Sequence, residues 1–184
     1  MRLATTVASS TCRVGILSDT HGWLDPRVEM ALCGCDVLVH AGDIGDDNVF
    51  VSLSAITDHL VAVVGNNDLF SRGWSVTCKQ AQVLSESAEL VLTGGTLVVE
   101  HGHRIHDTRH YAERLRDKYP QARMIVFGHT HQQMIDQNQQ PWVVNPGAAG
   151  RARTHGGPGC LILSITGYNW VLESCRFDTM RRLG

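Results

Sequence analysis

Charge in excess is what this 184-residue sequence most lacks: 16 Lys and Arg stand against 18 Asp and Glu, a formal net charge of −2. So balanced a chain has no global field to hold a nucleic acid or an anionic membrane surface. Long apolar runs are missing too. No stretch approaches the roughly 20 residues that span a bilayer. Met1 to Ser10 has one arginine among small residues, without the continuous apolar segment of a secretory signal. The six cysteines form no Cys-x-x-Cys pair, and Cys33-Gly34-Cys35 is too close for an ordinary structural disulfide. That argues against a disulfide scaffold and against cysteine-rich structural zinc. Reduced thiols and a cytoplasmic location are expected instead. The four tryptophans are scattered, so there is no clear nucleic-acid stacking platform.

What is present is an ordinary apolar share of 43%, enough in a chain this long for one domain with a substantial core. Residues 1–12 read as a flexible N-terminal tail and 13–184 as the domain. Arg13 to Ser18 reads as a strand. Asp25-Pro26 opens a helix to about Cys33, which Gly34 ends. Asp36 to His40 is a second strand. Asp46-Asp47 opens a helix whose Val49, Phe50, Leu53 and Ile56 keep a 3.6-residue period. Leu60 to Val64 is a third strand, and Leu69 to Ser87 a connection. Glu89 to Leu92 and Thr96 to Glu100 form a hairpin about Gly94-Gly95. A helix capped by Asp107 or Thr108 runs to about Lys118. Strands follow at Met124 to Phe127, Gln133 to Asp136, Trp142 to Val144, Cys160 to Ile165 and Tyr168 to Cys175, with an Arg- and Gly-rich loop over 150–159.

Six of these strand-like runs end in a polar cluster: Asp19/His21, Asp43, Asn66/Asp68, His101/His103, His129/His131 and Asn145. In layered α/β proteins, ligands gather beyond the carboxyl ends of strands. Asp19, His21, Asp43, Asn66, His101, His129 and His131 all offer oxygen or imidazole nitrogen to a metal. Seven are too many for one tetrahedral ion and suit two ions sharing a carboxylate. Such a pair favours phosphate ester hydrolysis.

Asp19-x-His21, Gly42-Asp43, Gly65-Asn66-x-Asp68, His101-Gly102-His103 and Gly128-His129-x-His131 resemble, in order, the motif series of calcineurin-like metallophosphoesterases. The short length and Asn145-Pro146-Gly147 make the chain most similar to the small single-domain bacterial and archaeal phosphodiesterases. The resemblance implies a single-domain α/β fold, a four-layer αββα sandwich. It implies that Asp19, His21 and His131 hold one metal, that Asn66, His101 and His129 hold the other, and that Asp43 bridges them. It implies two divalent ions, manganese foremost, with iron, zinc, nickel or cobalt as alternatives. The activity it implies is phosphodiester hydrolysis by a metal-bridging hydroxide.

Two candidate catalytic residues join Asp43. His103 could bind phosphate or protonate the leaving oxygen. Asn67 stands where many relatives carry histidine; it can hydrogen-bond an oxygen but supplies no proton at neutral pH. Ala148, where relatives often have serine, is a minor departure. Arg104, Arg151, Arg153 and His155 are candidates for phosphate contact. His40 and Asp68 are expected to support the site, and His59, His106 and His110 to be structural. The expected partner is a small phosphoester, without a membrane, and the resemblance leaves a homo-oligomer open. The alternatives are a phosphomonoesterase, a dinucleoside polyphosphate hydrolase, or a protein-binding scaffold of the same fold.

Overall fold

Short runs of β-branched and other apolar residues build most of the chain, which is described by a computed structural model over residues 3–7, 9–68, 84–151 and 153–179. The strands are β1 Leu3–Thr6, β2 Thr11–Leu17, β3 Val37–His40, β4 Leu60–Ala62, β5 Ser87–Leu92 and β6 Gly95–Glu100. They continue with β7 Met124–Val126, β8 Met134–Asp136, β9 Trp142–Asn145, β10 Gly159–Thr166 and β11 Asn169–Arg176. Three α-helices accompany them: α1 Pro26–Leu32, α2 Asp47–Ser54 and α3 Tyr111–Lys118.

One sheet has the order β11-β10-β2-β3-β4 and the other β1-β5-β6-β7-β9-β8. β2, β3 and β4 are parallel neighbours, as are β6, β7 and β9. Each sheet therefore delivers three carboxyl ends to one edge. The facing surfaces close over a core in which Val14, Ile16 and Val39 of one sheet meet Leu90, Leu97 and Val126 of the other. Val28 and Leu32 of α1, with Phe50 and Leu53 of α2, cover the outer face of the first sheet at Leu38 and Ile162. Tyr111 and Leu115 of α3 cover the second at Ile125 and Val143. These three apolar layers make the expected αββα sandwich.

The helix starts follow the sequence signals. Asp25 accepts the Arg27 N–H at 2.9 Å with Pro26 at the first helical position, and Asp46 accepts the Asn48 N–H at 2.8 Å. Such caps are worth about 1 kcal/mol each.

Three expectations change. The segment read as a tail contains β1, paired in parallel with Ala88–Val91 of β5, while Thr11 and Cys12 already belong to β2. Four residues ending in Thr5-Thr6 carry no apolar alternation; their place comes from the backbone ladder that the β5 edge offers. The helix expected from Asp107 begins as a 3-10 turn, Thr108–His110, with the Asp107 carboxylate 2.9 Å from the His110 ring nitrogen and making no capping hydrogen bond. The expected connection lies outside the described residues from 69 to 83, and Ser87 already belongs to β5. No helix among the described residues is long and apolar enough to cross a membrane.

Candidate metal centre

The loops that leave the parallel strands are stitched to one another by their backbones. Asp19 N–H donates to Gly42 O at 3.0 Å, His21 N–H to Asp43 O at 2.9 Å and Gly22 N–H to Ile44 O at 2.7 Å. In the other sheet Gly128 N–H donates to His101 O at 3.1 Å. The sheets are joined at the site by the Asp19 carboxylate, whose Oδ2 accepts the His129 N–H at 3.1 Å.

All seven expected ligands meet there. Asp19, His21, Asp43 and His131 each offer one ligand atom, and the four atoms lie within 4.8 Å of one another. His21 Nε2 is 3.1 Å from His131 Nε2, and His131 Nε2 is 3.2 Å from Asp19 Oδ1. A second group gathers about Asn66 Oδ1, which is 3.2 Å from His101 Nε2 and 3.0 Å from His129 Nδ1. Asp43 Oδ2 faces both groups, 3.7 Å from His21 Nε2 and 3.5 Å from His101 Nε2.

Backbone strain marks the same positions. Asp19, His21, Asp43, His129 and His131 all have φ between 48° and 67°, and among the described non-glycine residues only Arg153 shares that region. Each such residue costs on the order of 1–3 kcal/mol and persists only where its surroundings over-determine it. Here the interloop hydrogen bonds supply that constraint.

The protonation states of Asp43, His21 and His129 suit ligation; burial pushes the His101 pKa down, but the Asp43 and Asp19 carboxylates and Ala41 O outweigh it and raise it. Burial pushes the Asp43 pKa up, but the His101 ring and the Asn67 N–H outweigh it and hold the carboxyl well below the usual range. Burial lowers the His21 and His129 pKa values, which favours neutral rings with a free lone pair. His101 Nδ1–H donates to Ala41 O at 2.7 Å, so its Nε2 is the atom turned to the site. Asp19 Oδ1 is buried and accepts no hydrogen bond, although His131 Nε2 is close by. An orphaned carboxylate oxygen beside converging ring nitrogens, with no thiolate among them, fits a divalent cation held by oxygen and nitrogen.

Supporting residues take definite roles. His40 is fully buried, and burial pushes its pKa down to about 3. Its Nδ1 accepts the Gly42 N–H at 3.2 Å, so its Nε2–H donates to Thr20 Oγ1 at 3.0 Å, which donates to Ile44 O. Asp68 serves the backbone, accepting N–H groups from Ile44, Gly45 and Gly65 at 2.8–3.0 Å. Asn145 donates to Gly128 O and Thr130 Oγ1, clamping the chain on both sides of His129. Sequence reasoning missed Tyr111, whose hydroxyl donates to Gly102 O at 2.5 Å between His101 and His103. Its apolar position on α3 gave no sign of this second contact.

The candidate catalytic side chains are less alike. Asn67 is exposed, and its amide donates to Asp43 Oδ2 at 2.6 Å. The His103 ring is 5.5 Å from that of His101, and its Nδ1 is buried without a hydrogen bond. It lines a cleft of about 260 Å³ with Glu86, Ser87, Glu100 and Lys118. Arg104 is bound to Glu86, Arg151 stacks on Trp23, and His155 is exposed. Of the histidines expected to be structural, His110 has its ring Nδ1 2.9 Å from the Asp107 carboxylate.

The family model described as the calcineurin-like phosphoesterase superfamily domain matches residues 12–167. A phosphodiesterase of Methanocaldococcus jannaschii is 22% identical over 143 residues, 73% of this chain and 82% of that protein. Vacuolar protein sorting 29 from Cryptosporidium parvum superposes with a TM-score of 0.72 at 16% identity, over 91% of this chain and 98% of that one. The structure of an archaeal phosphodiesterase superposes with a TM-score of 0.63 at 19% identity, over 88% and 99%. The structural likenesses extend the two-sheet fold to these proteins, while the family match covers the motifs that supply the donor set. The chain belongs to the calcineurin-like phosphoesterase superfamily.

Proposed function

We propose that this chain is a phosphodiesterase working with two divalent metal ions. Asp19, His21 and His131 hold one, Asn66, His101 and His129 the other, and Asp43 is shared. The observation that carries the reading is Asp43 Oδ2, within 3.7 Å of His21 Nε2 and 3.5 Å of His101 Nε2, with a separate donor group on either side. When bound, such ions polarise phosphoryl oxygens and lower the pKa of water.

The chain's own residues orient and exclude. The Ala41 carbonyl holds His101 with its Nε2 turned to the site, and Asp68 and Asn145 fix the loops. His103 borders the cleft beside His101 and is the group to bind phosphate or protonate the leaving oxygen. Asn67 can donate a hydrogen bond but no proton, so activated aryl esters are the preferred test substrates. Manganese is the first ion to try; iron, zinc, nickel and cobalt suit the same donors. Free thiols at Cys12, Cys33, Cys35, Cys160 and Cys175 accord with a reducing cytoplasm.

The test is hydrolysis of bis-p-nitrophenyl phosphate beside p-nitrophenyl phosphate, with Mn²⁺ added and with metal stripped. Metal-dependent cleavage favouring the diester is expected. A monoester preference would favour a phosphomonoesterase, and cleavage confined to dinucleoside polyphosphates would favour a hydrolase of that class. The likeness to vacuolar protein sorting 29 supports a second reading, a protein-binding scaffold. Folded protein without activity in any divalent ion would favour it.

A further inference from the structure

The two flanks of the centre differ in how their cations are matched. On the His103 side Arg104 is bound to Glu86 and Lys118 to Glu100, so each positive charge already faces a carboxylate. On the His21 side the loop 149–155 carries Arg151 and Arg153. Both are exposed, and neither forms a hydrogen bond or ion pair among the described residues.

That loop is held against the candidate ligands from both ends. Ala149 N–H donates to Ser18 O at 2.8 Å, and Asp25 N–H donates to Ala149 O at 3.0 Å. At the other end His155 pairs with Gln132, the residue after His131. Arg153 therefore sits between an anchor on the His21 loop and an anchor beside His131. Its φ of 50° makes it the one left-handed non-glycine residue outside the donor set among the described residues. Arg151 is fixed differently. Its guanidinium lies 3.9 Å from the Trp23 ring centroid, which sets the plane of the fork and leaves the N–H edges free. Trp23, Gly150, Arg151 and Thr154 border a cleft of about 400 Å³, in which the carboxylate of Asp25 is already taken by Arg27.

We propose that Arg151 and Arg153 form a subsite for a second phosphate group of the substrate, so that the preferred diester carries a phosphomonoester beside the bond that is cut. This rests on the phosphodiesterase reading above. Guanidinium forks match phosphate oxygens two at a time, and a phosphate dianion gains more from them than a neutral group does. The matched flank, by contrast, suits the uncharged part of the molecule.

The test compares the 5′-p-nitrophenyl phosphate ester of thymidine with the same ester bearing a 3′-phosphate, in Mn²⁺. The added phosphate should raise kcat/KM about tenfold, the effect of one good charge-assisted contact, mainly through KM. Arg151→Gln and Arg153→Gln should each shrink that gain, while Arg104→Gln keeps it. Equal kcat/KM for the two esters, or a gain that survives both substitutions, would overturn the subsite. Calorimetry with adenosine 3′,5′-bisphosphate against adenosine 5′-monophosphate reads the subsite without turnover. Tighter bisphosphate binding that Arg153→Gln abolishes supports it even if no diester is cleaved, and equal binding overturns it even if diesters are.

Discussion

The Asn67 side chain donates to Asp43 Oδ2 at 2.6 Å, and the Asn67 N–H donates to Asp43 Oδ1 at 2.9 Å. One residue thus grips both oxygens of the carboxylate that faces both donor groups. Asn67→Ala removes one of the two contacts and keeps the other. It should cost about 1 kcal/mol in the metal-stripped protein, the ordinary net value of a hydrogen bond. Urea unfolding measures this. Asn67→His places a proton donor on the same exposed loop. Its rate should fall less steeply than that of the parent from aryl to alkyl diesters; parallel slopes would mean that position 67 does not approach the leaving oxygen.

Asp43→Asn keeps the shape and removes the charge. If Asp43 is shared, both ions weaken together, and turnover of bis-p-nitrophenyl phosphate should fall by more than the ~10–100-fold typical of losing a mere supporting partner. Metal analysis of the purified variant should show depletion of both sites. Near-normal rate and metal content would remove Asp43 from the bridging position.

How much of this was legible in the sequence differs by residue. Asp25-Pro26 and Asp46 announce α1 and α2 because a cap is a local event, settled within three residues. The seven candidate ligands were legible because each follows an apolar run at its polar end. Periodicity could not say that the runs divide between two sheets; that came from the resemblance, since β3 and β7 read alike as short buried strands. β1 was illegible for the opposite reason, having no pattern of its own. The left-handed backbone at Asp19, His21, Asp43, His129 and His131 was invisible as well. Nothing in the types Asp and His requires it, and it exists only once the loops bind one another.

His40 ties stability to pH. Its folded pKa, pushed down to about 3 by burial, lies below its ordinary 6.5. Between those values the unfolded chain binds more protons than the folded one, so stability rises with pH and is lost as pH falls through this window. His40→Asn keeps an acceptor for the Gly42 N–H without a group that must stay neutral. Thermal unfolding of the metal-stripped proteins at pH 7, 6 and 5 should show the parent losing Tm faster than the variant. Parallel losses would mean that other groups carry the acid sensitivity.

Gly65 and Gly167 separate close approach from backbone freedom. A Cβ at Gly65 would stand 2.1 Å from Asp43 Oδ1 and 2.3 Å from Asp43 N, and neither atom can yield without parting the loops after β3 and β4. A Cβ at Gly167, in the turn before β11, would meet nothing within 4 Å, although its φ of +55° is unfavourable for alanine. Gly65→Ala should therefore act through the site. Overpacking of about 1–3 kcal/mol lowers Tm by roughly 2–4 °C per kcal/mol in a chain of this size, and the displaced Asp43 should release metal. Gly167→Ala strains one exposed turn far from the donors, so it should lower Tm modestly and leave metal content intact. Differential scanning calorimetry with metal analysis distinguishes the two. Equal metal content in both variants would mean that the Asp43 loop moves aside freely, and that its contact with Gly65 does not fix the carboxylate between the two donor groups.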